Sequence, residues 1–194
     1  MQKKFPDPAQ RRAICEQQAQ AGFADALVFA CAPQWLDAAP GPDGKPTSLP
    51  RFSMVAYTGG PMRVAGWRYP VIVDLAGLAL PSQHRPIRLG HDAAQGVGHT
   101  DGIRVDAGQL IATGVVSRDT TAAKEVVVSS RNGFPWQSSI AAAVEEFEFV
   151  KENQKALVNG REVTGPVNVI RKATLGEISF VDLGADGRTK ASVA

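Results

Sequence analysis

From Arg51 onward the chain is a succession of short β-type runs cut by glycine and proline, among them Phe52–Tyr57, Tyr69–Asp74, Pro86–Gly90 and Gln109–Gly114. Repeated strands with this punctuation restrict the fold to a barrel or a sandwich. Between Trp136 and Val150 the second half alternates as Glu146-Phe147-Glu148-Phe149, one face apolar and one charged, as a half-exposed strand requires. Asn159-Gly160 stands between Ala156-Leu157-Val158 and Arg161–Thr164, the signature of a two-residue hairpin turn. Val167–Ile170 and Glu177–Val181 read as two last strands, and Gly96 with Gly98 as a glycine-rich turn. One helix interrupts the strands: Thr121 to Arg131 follows a threonine cap, contains Ala-Ala-Lys-Glu and stops at Asn132-Gly133. The fold expected for residues 51–194 is therefore α+β, a mostly antiparallel β-barrel with packed helical structure.

Residues 1–50 have a different texture. Pro8 to Ala21 is rich in Ala, Gln and Arg, which predicts a helical arm stopped by Gly22. Prolines 33, 40, 42, 46 and 50, interleaved with Gly41, Asp43 and Gly44, then mark a linker. In 194 residues there are 21 basic and 19 acidic side chains, a net charge of +2, so no basic footprint for nucleic acid is present. No apolar run approaches the ~20 residues of a transmembrane helix, and the start, Met-Gln-Lys-Lys-Phe-Pro-Asp-Pro, lacks the apolar stretch of a signal peptide. Cys15 and Cys31 are the only cysteines, which fits reduced thiols in a cytosolic compartment.

Histidine chemistry is confined to one segment, because the three histidines, His84, His91 and His99, all precede Gly102. His91, in Pro86-Ile-Arg-Leu-Gly-His-Asp92, follows a predicted strand end, where a side chain can enter a cleft mouth. Ser138 and Ser139 are two small hydroxyls in an aromatic and aliphatic strand. A serine becomes a nucleophile only with a base in hydrogen-bond reach and donors for the oxyanion, and crossing strands can bring His91 to it. Asp92 is not assumed to orient His91, since neighbours on an extended chain point to opposite faces. His91 and His99 with Asp92 and Asp101 fit no standard zinc spacing, so no metal and no other cofactor is expected.

In order along the chain stand His91-Asp92 with Gly96 and Gly98, then Asp106-Ala-Gly108-Gln-Leu-Ile-Ala-Thr-Gly114, the helix, Ser139-Ile140, and Leu175-Gly-Glu-Ile-Ser-Phe-Val181 with Ala185. This ordered set resembles the tailed-phage prohead maturation proteases, of the HK97-like kind. That family has a histidine, a glycine-leucine strand, a helix, a serine-isoleucine-glycine strand and a late glutamate-valine-serine-leucine-valine strand. The family is similar in fold to the herpesvirus capsid-maturation proteases, a β-barrel packed with a few helices. Ala141 departs from the glycine usual after serine-isoleucine, and Ser138 offers a second hydroxyl.

The resemblance implies a serine endopeptidase with Ser139 as nucleophile, Ser138 as the second choice, and His91 as general base. The third member in the herpesvirus enzymes is a histidine after the serine; none follows Ser139 here, so a carboxylate takes the place or a dyad operates. Glu177 is the first choice, Asp182 the second, and Ser179 shares a strand face with Glu177 by the period of two. The herpesvirus enzymes use an arginine-bearing loop for the oxyanion, and Arg171, beside Lys172, is the nearest basic pair of that kind, with a plain surface pair or a backbone N–H donor as the alternatives. The implied substrates are the scaffolding protein or extensions of the major capsid protein, and the chain itself, cut in the Pro33–Pro50 linker or in the tail after Ala185. The implied place is the assembling prohead in the host cytoplasm, with a homo-oligomer possible and neither nucleic acid nor membrane as partner. The rival expectations are a non-catalytic capsid-assembly or scaffold-associated protein of the same fold, and an unrelated small β-barrel binding domain.

Overall fold

The computed structural model describes residues 49–194, and the elements are β1 (Arg51–Tyr57), β2 (Val71–Val73), a 3-10 turn (Leu75–Gly77), β3 (Leu78–Ala79), β4 (Pro86–Leu89), β5 (Gly96–Asp106), β6 (Gln109–Val115), α1 (Thr121–Arg131), β7 (Gln137–Val150), β8 (Lys155–Val158), β9 (Arg161–Thr164), β10 (Val167–Val181) and β11 (Lys190–Val193). The main sheet runs β11-β1-β6-β5-β4-β10-β2, with β7 and β3 also paired to β10, while β8 and β9 form a separate hairpin. Alternation makes β1 and β6 one-sided, every second residue being buried. Most of β10 is buried, and the strand is paired along both edges, with β7 antiparallel on one and β2, β3 and β4 parallel along the other.

The barrel expectation is corrected here. Strands β2, β3 and β4 are parallel to β10, so the sheet is mixed, and it is open. Closure would need a ladder between β7 and β11. Instead, where they approach, the Thr189 hydroxyl bonds the Ser138 backbone, and the backbone bond between them is Ala191 N–H to Trp136 C=O, 3.0 Å. In place of a few packed helices of the herpesvirus-protease kind, α1 is the one α-helix among the described residues. The expected N-terminal helical arm, both cysteines and nearly all of the linker lie outside the described residues. Among those described, no helix is long and apolar enough to cross a membrane.

Two boundaries also differ from expectation. Gly96 and Gly98 open strand β5 instead of forming a turn, and Gly98 is needed for close strand approach: a Cβ there would lie 2.1 Å from the Val115 carbonyl oxygen. The two predicted late strands are one, β10, because β7 pairs along its whole length and register shifts near Lys172 and Gly176 absorb the irregularity. Helix α1 has the predicted limits, the Thr120 hydroxyl accepting from Ala123 N–H at 3.1 Å. The Asn159-Gly160 turn takes φ values of 52° and 75°, as a two-residue hairpin requires. Its Asn159 amide accepts from Leu75 N–H and donates to the Gly59 and Val73 carbonyls, which ties the hairpin to the sheet.

The core under the site is aromatic. Phe180 on β10 is fully buried and meets Phe52 edge-on at 5.9 Å and Trp136 at 6.0 Å between ring centroids. Phe180→Ala is expected to destabilise the fold by about 3–5 kcal/mol, from lost transfer energy and the cavity left behind. Urea unfolding followed by tryptophan fluorescence measures it.

Candidate active site

Three strands carry the candidate residues. In β10, Ile178 and Phe180 point into the core, so Glu177 and Ser179 point to the other face. Ser139 of β7 is directly opposite Ser179, and Ala141 opposite Glu177. On the far side of β10, Arg88 of β4 is in register with Ser179, while its neighbour Ile87 is fully buried in the core. Ser139, Ser179 and Arg88 therefore form one row across three strands. Directly opposed residues have Cβ atoms about 4.5–5.5 Å apart.

Just past β4 the backbone turns through two left-handed residues, Gly90 (φ 63°) and His91 (φ 62°). That conformation is free for glycine and costs about 1 kcal/mol or more for a residue with a Cβ. It is held by β10: Gly90 N–H donates to the Phe180 carbonyl at 2.9 Å and His91 N–H to Ser179 Oγ at 3.1 Å. The turn lays the imidazole over Glu177, with Nδ1 2.5 Å from Glu177 Oε1. Ser179 Oγ donates to the other carboxylate oxygen, Oε2, at 2.7 Å. Glu177 is buried, whereas the His91 side chain is 38% exposed. A carboxylate beside Nδ1 keeps the proton on that nitrogen and leaves Nε2 as an acceptor.

Ser139 is half-buried on the same face as Glu177 and Ser179, on the opposite flank of β10 from His91. Its hydroxyl has no hydrogen-bond partner among the described residues, and it is not bonded to His91, whose contacts are with Ser179 and Glu177. Ser138 differs in kind. It is fully buried toward the core, its hydroxyl donates to the Val55 carbonyl at 2.6 Å, and its N–H and C=O are both taken by the Thr189 hydroxyl.

Other sequence candidates stand elsewhere. Arg171 lies eight positions from Ser179 along β10, a run of about 26 Å at 3.3 Å per residue. It grips Glu148 through Nε and Nη2 and Asp74 through Nη1. Those two carboxylates, Glu148 first, push the guanidinium pKa up. The expected place for Arg171 at the oxyanion is corrected by this distance. Asp182 is exposed past the end of β10, and its carboxylate accepts from Leu183 N–H. Asp92 faces its own turn; Ala94 N–H foremost, then the Gln95 amide, hold its carboxyl below the usual range, with the Arg88 charge adding to the effect.

His99 is bonded to the Ser117 hydroxyl and His84 to the Thr100 carbonyl, and Asp101 is paired with Arg51 and Thr113. Among the described residues no three potential metal ligands come together.

Sequence reasoning missed Arg88. The signal was present in Pro86-Ile87-Arg88-Leu89, where period two sets Arg88 on the face opposite Ile87 and Leu89. Its alignment with Ser139 depends on pairing through β10.

Comparison with protein-family models and with curated proteins finds no match for this chain. The functional reading therefore rests on the residues themselves and on the ordered motifs.

Proposed function

We propose that this protein is a serine endopeptidase with Ser139 as nucleophile, His91 as general base and Glu177 as the group that orients the base. The observation that carries the reading is the bond from His91 Nδ1 to the buried Glu177 carboxylate, on the face where Ser139 stands across β10. Ser139 Oγ adds to the peptide carbonyl carbon while His91 Nε2 takes its proton. The resulting imidazolium sits against Glu177 and passes that proton to the amine as the C–N bond breaks. Water then repeats the sequence on the acyl-enzyme and restores the serine. For this step the imidazole must move from its place over Glu177 toward β7 until Nε2 reaches the Ser139 hydroxyl, since catalytic hydrogen bonds can be completed only when substrate binds.

Arg88, on the row with Ser139 and Ser179, supplies positive charge for the oxyanion in this reading, in the place assigned from sequence to Arg171. Arg88→Gln is expected to lower kcat by about 10²–10³-fold with folding intact. Arg171→Gln is expected to leave kcat unchanged and to alter stability by no more than about 1 kcal/mol, its ion pairs being partly solvated. Steady-state kinetics beside thermal melts compares the two.

The resemblance to prohead proteases supports the substrate class: the scaffolding protein or a major capsid protein extension inside an assembling prohead in the host cytoplasm, and the chain itself. The Pro33–Pro50 linker remains the site of choice for self-cleavage. The tail after Ala185 does not suit it, because Asp186 and Thr189 are buried and Lys190–Val193 is strand β11, paired with β1.

A direct test uses a fluorophosphonate probe on the full chain. Labelling mapped by mass spectrometry to Ser139, and abolished by His91→Ala, supports the peptidase. No labelling and no cleavage of scaffold or self favours the rival, a non-catalytic capsid-assembly or scaffold-associated protein, which is in keeping with Ser139 and His91 not being bonded to one another.

A further inference from the structure

We infer that Ser179 is a positioning residue, which locks His91 and Glu177 into a single arrangement; the inference rests on the peptidase reading and deepens it. Ser179 is fully buried, yet its hydroxyl is occupied in both of its capacities. It accepts from the His91 backbone N–H at 3.1 Å and donates to Glu177 Oε2 at 2.7 Å. A single small group that is both acceptor and donor is a hydroxyl, so Ser or Thr alone serves without a void or a water.

The two bonds act on different parts of the site. The bond to His91 N–H helps to hold the left-handed backbone at φ 62°, from which the imidazole reaches back over β10. The bond to Oε2 fixes the rotation of the carboxylate, so that Oε1 is the oxygen presented to Nδ1. The sheet itself fixes Ser179 through pairing with Ser139 on one side and Arg88 on the other. Nucleophile, base and carboxylate are thereby referenced to one backbone position, and an error of about 1 Å in such a constellation is worth on the order of 10²-fold in rate.

Removing the hydroxyl frees two groups at once. In Ser179→Ala the His91 N–H loses its acceptor, and the buried Oε2 loses the donor it has among the described residues. Expected for Ser179→Ala is a fall in kcat of about 10–10²-fold with KM within about twofold of wild type. The His91 backbone amide should exchange with solvent faster, and the low-field proton signal of the imidazole Nδ1–H should broaden or move. Ser179→Thr, which keeps the hydroxyl, should restore all three readouts.

The experiment measures cleavage of a scaffold peptide, amide exchange and the Nδ1–H resonance on the full chain for wild type, Ser179→Ala, Ser179→Thr and Ser139→Ala. Ser139-dependent cleavage that persists at the wild-type kcat in Ser179→Ala overturns the inference. So does unchanged His91 amide exchange in that variant. Equal losses in both Ser179 variants, tracking a lower melting temperature, also overturn it, since they indicate packing instead of positioning. Failure of the peptidase reading itself is separate: Ser139→Ala then behaves as wild type, while amide exchange at His91 still reports on Ser179.

Discussion

Alanine at Ser139 is expected to reduce peptide cleavage by roughly 10⁴-fold or more, because a nucleophile acting with its base as one unit leaves little behind when removed. The fold should be unchanged, since the Ser139 hydroxyl has no bonded partner among the described residues and the serine is half-buried. Ser138→Ala provides the contrast. Its hydroxyl donates to Val55 C=O in the core, and removing it loses that buried hydrogen bond, a cost of about 0.5–1.5 kcal/mol. Cleavage by the folded Ser138 variant should stay close to wild type. Quantifying fragments by mass spectrometry and stability by denaturant titration separates the two hydroxyls. If the Ser139 variant cleaves as well as wild type, the nucleophile is misassigned; if both do, the cleavage comes from another source.

Glu177→Gln should be the second largest effect, of the order of 10³-fold in kcat, with KM little altered. The amide preserves size, so the packing between β7 and β4 is kept. In the proposed mechanism it removes the negative charge that stabilises the imidazolium formed when His91 takes the serine proton. It also permits an amide N–H to face Nδ1, which favours the tautomer with its proton on Nε2, where an acceptor is required. Glu177→Asp retains the charge but shortens the reach across a 2.5 Å contact, so an intermediate rate is expected. Asp182→Asn should have no effect on kcat, its carboxylate being exposed and engaged with Leu183 N–H. A loss in the Asp182 variant with none in Glu177→Gln would reverse the assignment of the orienting group. Single-turnover measurements with a chromogenic peptide compare the four proteins.

The parts of the fold legible in sequence are those decided locally. Helix α1 was bounded by a threonine cap and an Asn-Gly stop, and the β8–β9 turn by Asn159-Gly160, both signals within a few residues. Strand β5 was not legible, because its Gly98 serves a close approach across the sheet to the Val115 carbonyl, which no neighbouring residue announces. The single long β10 was read as two strands for a related reason. Lys172 and Gly176 interrupt the apolar pattern, but the pairing with β7 continues past both. Barrel closure depended on whether β7 and β11 would form a ladder, and the Thr189 side chain, distant in sequence from Ser138, fills that place.

For the candidate site, residue chemistry alone offered two common side chains on predicted strands, and the ordered resemblance is what nominated Ser139 and His91, with Glu177 ahead of Asp182. The period of two set Ser179 on the Glu177 face and Ser138 on the opposite one. Tertiary structure decided the rest: the Glu177 carboxylate rather than Asp182 lies on His91, Arg171 is taken up by Glu148 and Asp74, and Arg88 stands in the row with Ser139. The reason is that side-chain type and strand parity are properties of a residue and its neighbours. Register between strands is instead a property of the assembled sheet, set by the whole pairing of β4, β10 and β7.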